Sequence, residues 1–212
     1  MRRLCLAPVL YALAVCLSTP SFAGSVLSPT DDGMAGRDWY SNPNYYWVDD
    51  TSPTIQVNHD GGNRWSYRGA VIFDISSLLG STLAPGDASY DFYSYGFSGT
   101  QLQYAAASGP MVTTGYATAG GAYIADLGSA EGWLSFDVTS LLQGSIDSGA
   151  NYVAFIFPAV VNYGGGSLAA VETQGLGSYL QVGATGVPEP ASLALLGLGL
   201  AGLAVARRKK RA

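Results

Sequence analysis

Hydrophobic positions fall into three regimes along the chain. Residues 4–17 form an uncharged apolar run, residues 24–186 break short apolar stretches with Gly, Ser, Asn and Asp, and residues 191–206 are apolar again. In the middle regime Tyr67, Val71, Phe73 and Ile75 share one side of a period-two segment that also passes Gly69. Residues 151–157 are a compact apolar run stopped by Pro158, the pattern of a buried strand. Residues 178–182 read as a closing strand. The clusters Asp60-Gly61-Gly62-Asn63 and Gly164-Gly165-Gly166 read as turns. This stretch is rich in Gly, Ser, Tyr and Thr and poor in Lys, Glu and Met, which disfavours helix and suits strands. No long helix is predicted. Many short strands with turn punctuation predict an all-β fold, a single β-sandwich over residues 24–186.

One internal echo adds detail. Phe73-Asp74-Ile75-Ser76-Ser77-Leu78-Leu79 returns as Phe136-Asp137-Val138-Thr139-Ser140-Leu141-Leu142. The expected structure is a strand that buries Phe and Ile or Val and then turns. Asp and Ser/Thr side chains bond the backbone at that turn, and the leucines fold back onto the core.

The flanks change the picture. Met1-Arg2-Arg3, the apolar run and Ser21-Phe22-Ala23 read as a signal peptide, residues 1–23, cut by signal peptidase between Ala23 and Gly24. Read as a membrane helix, the run reaches only about 21 Å against a hydrocarbon core of about 30 Å. Cys16 after Leu13-Ala14-Val15 leaves a lipoprotein signal as a rival, with Val15 a poor fit. At the other end Val187-Pro188-Glu189-Pro190 leads into the apolar helix predicted at residues 191–206, followed by Arg207-Arg208-Lys209-Lys210-Arg211. The basic end should stay cytoplasmic with the body on the opposite side. The span reaches about 24 Å, and its alternating glycines suit a short, temporary anchor. An ordinary single-pass anchor is the plain alternative.

This tail, residues 187–212, resembles the PEP-CTERM sorting domain. The resemblance rests on Pro188, Glu189 and Pro190, the apolar span, the basic end and the terminal position. It implies processing by an exosortase-type transpeptidase in a Gram-negative bacterium that makes exopolysaccharide. Export across the inner membrane and transient anchoring would be followed by residence at the cell surface or outside. The body carries a second resemblance, to DNRLRE-type domains. Arg68 with Phe73-Asp74-Ile75, the segment from Glu131-Gly132-Trp133 to Leu142, and Glu172 with Tyr179-Leu180-Gln181-Val182 carry it. It implies a jelly roll related to carbohydrate-binding modules.

Charge narrows the partners. Seven of the ten basic residues lie at the termini, and residues 24–186 hold 14 acidic against 3 basic side chains, a net of -11. Such a body repels phosphate backbones, which excludes nucleic acid. Both cysteines, Cys5 and Cys16, fall within the signal segment, so the mature protein has no disulfide, thiol nucleophile or zinc-thiolate site.

The candidate chemistry is sparse. His59 is the sole histidine, its neighbours Asn58, Asp60, Gly61 and Gly62 read as a turn, and no nucleophile elbow occurs, so a solvated loop histidine is expected. Paired acids of a glycosidase would need a motif that is absent. Loop carboxylates at Asp31, Asp32, Asp49, Asp50 and Asp137 fit calcium, a hard cation with oxygen ligands, though without EF-hand spacing. Solvated acids are the plain alternative, and a structural calcium follows from the jelly-roll resemblance alone. The leading ligand candidates are Trp39, Tyr40, Tyr45, Tyr46 and Trp47, flat rings interleaved with Asn that suit sugar faces and hydroxyls. Tyr90, Tyr93, Tyr95 and Phe97 form a second run. Core packing competes for all of these rings. The expectation is a non-catalytic surface or matrix protein associated with exopolysaccharide. A polysaccharide-modifying enzyme and an adhesin without a specific ligand are the alternatives.

Overall fold

The computed structural model describes residues 24–38, 45–59, 65–160 and 164–183. The predicted signal segment with Ala23, the tail with Pro188, Glu189 and Pro190, the pair Trp39 and Tyr40, and the turn at residues 60–63 lie outside the described residues. In chain order the strands are β1 (Ser25–Leu27), β2 (Asp31–Asp38), β3 (Tyr45–Asp49), β4 (Thr54–His59), β5 (Trp65–Asp74), β6 (Ala88–Ser98), β7 (Thr100–Ala107), β8 (Ala122–Leu127), β9 (Glu131–Asp137), β10 (Tyr152–Phe157), β11 (Gly164–Ala169) and β12 (Tyr179–Val182). Among the described residues there is one α-helix, α1 (Thr139–Asp147), and there are short 3-10 turns at Ser76–Leu78 and Thr114–Ala117.

Every strand pairing is antiparallel and the strands form one continuous hydrogen-bonded sheet. In one wing β5 sits between β2 and β10, with β3 outside β2, and β7 then β8 outside β10. In the other wing β6 takes β9 along one side and both β12 and β11 along the other, with β1 beyond β12 and β4 beyond β11. The wings join where β4 meets β5, in register at Asn58↔Tyr67 and His59↔Ser66.

The wings fold toward each other over an aromatic core. Tyr90 of β6 stacks on Phe155 of β10 at 3.7 Å, although the two strands share no ladder. Phe73, Phe92 and Phe157 lie 5.3 to 6.4 Å from this pair, and Phe97 packs behind them at 6.3 Å from Phe92 and 6.0 Å from Phe157. Each fully buried ring of this kind contributes roughly 2–3 kcal/mol through removal from water. A second, smaller core lies on the opposite face of β2, β5 and β10, where Ala35, Ala70, Ile72, Ala154 and Ile156 are covered by Val112 and Ala117. The small side chains let residues 108–121 lie close against the sheet. Arg68 is drawn into the same layer and donates through Nη1 to the Ala119 carbonyl, and burial pushes its pKa down. The apolar run expected as a buried strand is therefore β10, apolar at every position because both of its faces are covered.

The echo is structural punctuation twice over. Asp74 Oδ1 accepts from the Ser76 amide at 2.8 Å, and Asp137 Oδ1 accepts from the Thr139 amide at 2.9 Å and its hydroxyl at 2.7 Å. Ile75 and Val138 share one backbone conformation, with φ/ψ of -111°/11° and -123°/13°. The copies then diverge. After Asp74 the chain makes a single 3-10 turn, whereas after Asp137 it continues as α1. Thr139, Leu142, Ser145 and Ile146 recur at helical spacing and face inward, which stabilises the longer helix. The leucines exchange roles: Leu78 is buried and Leu79 exposed in the first copy, while Leu142 is the fully buried one in the second.

Two turn assignments change. Gly164-Gly165-Gly166 opens β11 rather than forming a turn. Glycine is needed there because backbones approach closely. A Cβ on Gly165 would lie 2.5 Å from the Val57 carbonyl oxygen, and one on Gly166, with φ +154°, would collide with the Gly96 carbonyl oxygen and Phe97. His59 ends β4 instead of sitting in a loop, with Nδ1 3.4 Å from Ser66 Oγ across the wing joint.

Candidate functional site

The second aromatic run divides between two faces, and a single irregularity decides how. Strand alternation sends Tyr90 and Phe92 into the core and Asp91 and Tyr93 outward. Tyr95 follows Tyr93 outward at 39% exposure, yet Phe97 returns to the core. The inversion is a β-bulge. Ser94↔Leu168 and Phe97↔Gly166 are both in register, so three steps on β6 match two on β11. The extra residue is accommodated at Gly96, with φ +97°, whose amide donates to Ser94 Oγ at 2.9 Å.

Outward rings from three strands then meet. Tyr93 touches Tyr95 at 5.3 Å and Trp133, its cross-strand partner on β9, at 5.9 Å. Trp133, 46% exposed, touches Tyr179 of β12 at 5.3 Å. The rings are tilted or edge-on to one another, with interplanar angles of 51° to 87°, so the face is corrugated. Beside Trp133 and Tyr179 opens a shallow cavity of about 340 Å³, bounded by Val26, Pro29, Val171 and Ser178. Its floor is tied down: Tyr90 donates from its hydroxyl to Ser178 Oγ at 3.3 Å, and the Val171 amide donates to Asp32 Oδ2 at 2.7 Å.

The candidates singled out from the sequence fare differently. Tyr45 and Tyr46 lie exposed on β3, with the Arg37 guanidinium 5.5 Å over the Tyr46 ring. Trp47 is committed to packing. It lies against Gly36, where no Cβ would fit, and 5.7 Å from Tyr67, and its buried Nε1 has no hydrogen-bond partner among the described residues. Gly24 is exposed immediately before β1.

Of the carboxylates, Asp31, Asp32, Asp49 and Asp137 are occupied by protein donors. Asp31 Oδ2 accepts from the Val112 amide at 2.5 Å, and burial holds its pKa above the usual range. Asp32 is buried, and desolvation lifts its carboxyl to about 7 despite the Val171 bond, with Glu172 and Asp31 adding to the rise. Asp137 is held low by Thr139. Asp49 Oδ1 accepts from the Thr51 amide and hydroxyl, both at 3.1 Å. Among the described residues no three His, Cys, Asp or Glu side chains come together as a metal-binding group, and Asp31 and Asp32 serve β2 while Asp137 caps α1.

Sequence reasoning passed over Trp133 and Tyr179 as ligand-binding residues. The available signal was period-two exposure of Glu131, Trp133, Ser135 and Asp137 in one strand, a pattern that leaves a tryptophan on the polar side.

The tail is identified independently of the body. Residues 186–210 match the PEP-CTERM protein-sorting motif, which marks an exported bacterial surface protein processed by an exosortase-type system. No curated protein matches the chain.

Proposed function

We propose that this exosortase-sorted surface protein is a non-catalytic polysaccharide-binding module of the exopolysaccharide matrix, with the Tyr93–Tyr95–Trp133–Tyr179 face as its binding site. That face carries the reading. Exposed tryptophan and tyrosine rings offer apolar surface to the CH-rich faces of sugars, while the nearby hydroxyl of Ser135 and amide of Gln181 suit sugar hydroxyls. The antiparallel wings folded on an aromatic core support a jelly-roll-like sandwich, the architecture that goes with this use of a sheet face. The chain path supports it too. The body begins beside Val182, paired with Ser25, and the tail departs after β12. Along β6 the aromatic face lies three to seven residues from that exit level, roughly 10–23 Å away. The rings thus lie along β6 away from the end of the sheet where Ser25 pairs Val182. The apolar span at residues 191–206 serves as the transient inner-membrane anchor of a Gram-negative cell until exosortase acts at Pro188-Glu189-Pro190.

The test is retention of the full chain, in a zwitterionic detergent without a sugar headgroup, on a panel of insoluble polysaccharides. Trp133→Ala is expected to reduce retention at least tenfold, Tyr45→Ala/Tyr46→Ala to leave it nearly unchanged, and no reducing ends should be released. Retention that survives Trp133→Ala but is lost with the β3 tyrosines would return the site to the first aromatic cluster.

A further inference from the structure

Around the aromatic face the charge is one-sided. On the outer side of β9 stand the exposed Glu131 and Asp137, Glu172 lies exposed in the segment that borders the cavity, and Asp91 of β6 is buried beneath them with its Oδ2 accepting from Ser89 Oγ at 2.8 Å. β1, β6, β9, β12 and residues 170–178 contain no Lys, Arg or His. The arginines of the described body, Arg37 and Arg68, belong to β2 and β5 in the other wing. The polar groups that remain near the rings are hydroxyls and amides, which recognise hydroxyls without demanding charge.

We propose, building on the polysaccharide-binding reading, that this face selects uncharged glycans and rejects those carrying carboxylate or sulfate groups. A uronate stacked on Trp133 would bring its carboxylate within about a Debye length of several fixed negative charges, with no Lys, Arg or His in the described segments that form this face to offset them. Each such approach is repulsive and partly screened, and together they weaken binding by about tenfold at low salt. A surface protein with this site would engage the neutral component of a matrix, or a neutral stretch between charged repeats.

The experiment compares three neutral polysaccharides of different backbone, a β-1,4-glucan, a galactan and a mannan, each beside its own C6-carboxylated derivative. The full chain is measured by depletion from solution at low and high salt. At least one neutral form is expected to be retained about tenfold more strongly than its carboxylated partner. The gap should close as salt rises, and Glu131→Gln should recover about two- to threefold on the carboxylated form alone. Equal or stronger retention on the carboxylated derivatives, with Trp133→Ala still abolishing it, overturns the charge selection and leaves carbohydrate binding standing. Retention on none of the six materials overturns both.

Discussion

Replacing Asp32 with Asn is expected to flatten the pH dependence of stability between about pH 5 and pH 8. Asp32 lies at 2% exposure on β2, and its carboxyl is lifted to about 7 by desolvation, with Glu172 and Asp31 contributing like-charge repulsion and the buried Tyr90 hydroxyl close by. The unfolded chain titrates this group near 3.8. Between those values the native state holds a proton that the unfolded state has released, so stability falls as pH rises. The contribution is complete below about pH 4 and gone above about pH 7. From pH 5 to pH 8 the fall is about 2–3 kcal/mol, two pKa units at roughly 1.4 kcal/mol each. Asn in its place keeps an oxygen to accept the Val171 amide and removes the buried charge, so the variant should show little slope and exceed the parent at pH 8. Urea midpoints of both proteins at the two pH values measure this. A parent whose midpoint rises from pH 5 to pH 8, or a variant with the same slope as the parent, would refute the desolvation argument.

Other consequences follow from the same geometry. Asp137→Ala removes the acceptor for the Thr139 amide and hydroxyl at the start of α1 and should cost about 1 kcal/mol in chemical denaturation. Because Thr139 holds Asp137 low and Ser76 holds Asp74 low, the stability they add is present above the normal carboxylate range and fades only in more acidic solution, opposite in sign to Asp32. Tyr90→Phe should cost about 1 kcal/mol and loosen the cavity floor by freeing Ser178, read as faster amide exchange at residues 176–179. Gly166→Ala forces a Cβ into the Gly96 carbonyl and Phe97 and should destabilise by about 2 kcal/mol or more, seen as a lowered Tm. Arg68→Ala should speed proteolytic cutting within residues 108–121, with the main core left intact.

What the sequence made legible, and what it hid, separates along physical lines. Periodicity exposed β5 and β10 because those strands bury long apolar side chains, and the Asp of each echo announced its turn because an Asx carboxylate bonds locally whatever the tertiary setting. The sorting tail was legible because membrane machinery reads linear features. The aromatic face was hidden for a different reason. Which rings point outward on β6 depends on a bulge at Gly96, and that bulge exists only because β11 pairs there with two residues against three. The pairing joins residues some 70 apart in the chain, as Ser94↔Leu168 shows. Period-two reasoning assigns Tyr95 and Phe97 to one side, and the structure puts them on opposite sides. The glycine triplet misled in the same way: a turn needs glycine for its backbone angles, but β11 needs it for space, and composition cannot separate the two. The first aromatic cluster drew notice by density alone, yet Trp47 is consumed by the missing Cβ of Gly36 on the neighbouring strand. Where side chains act through neighbours close in sequence, this chain is readable from its letters. Where they act through strand register, as the proposed binding face does, the folded pairing decides which rings meet a ligand and which hold up the core.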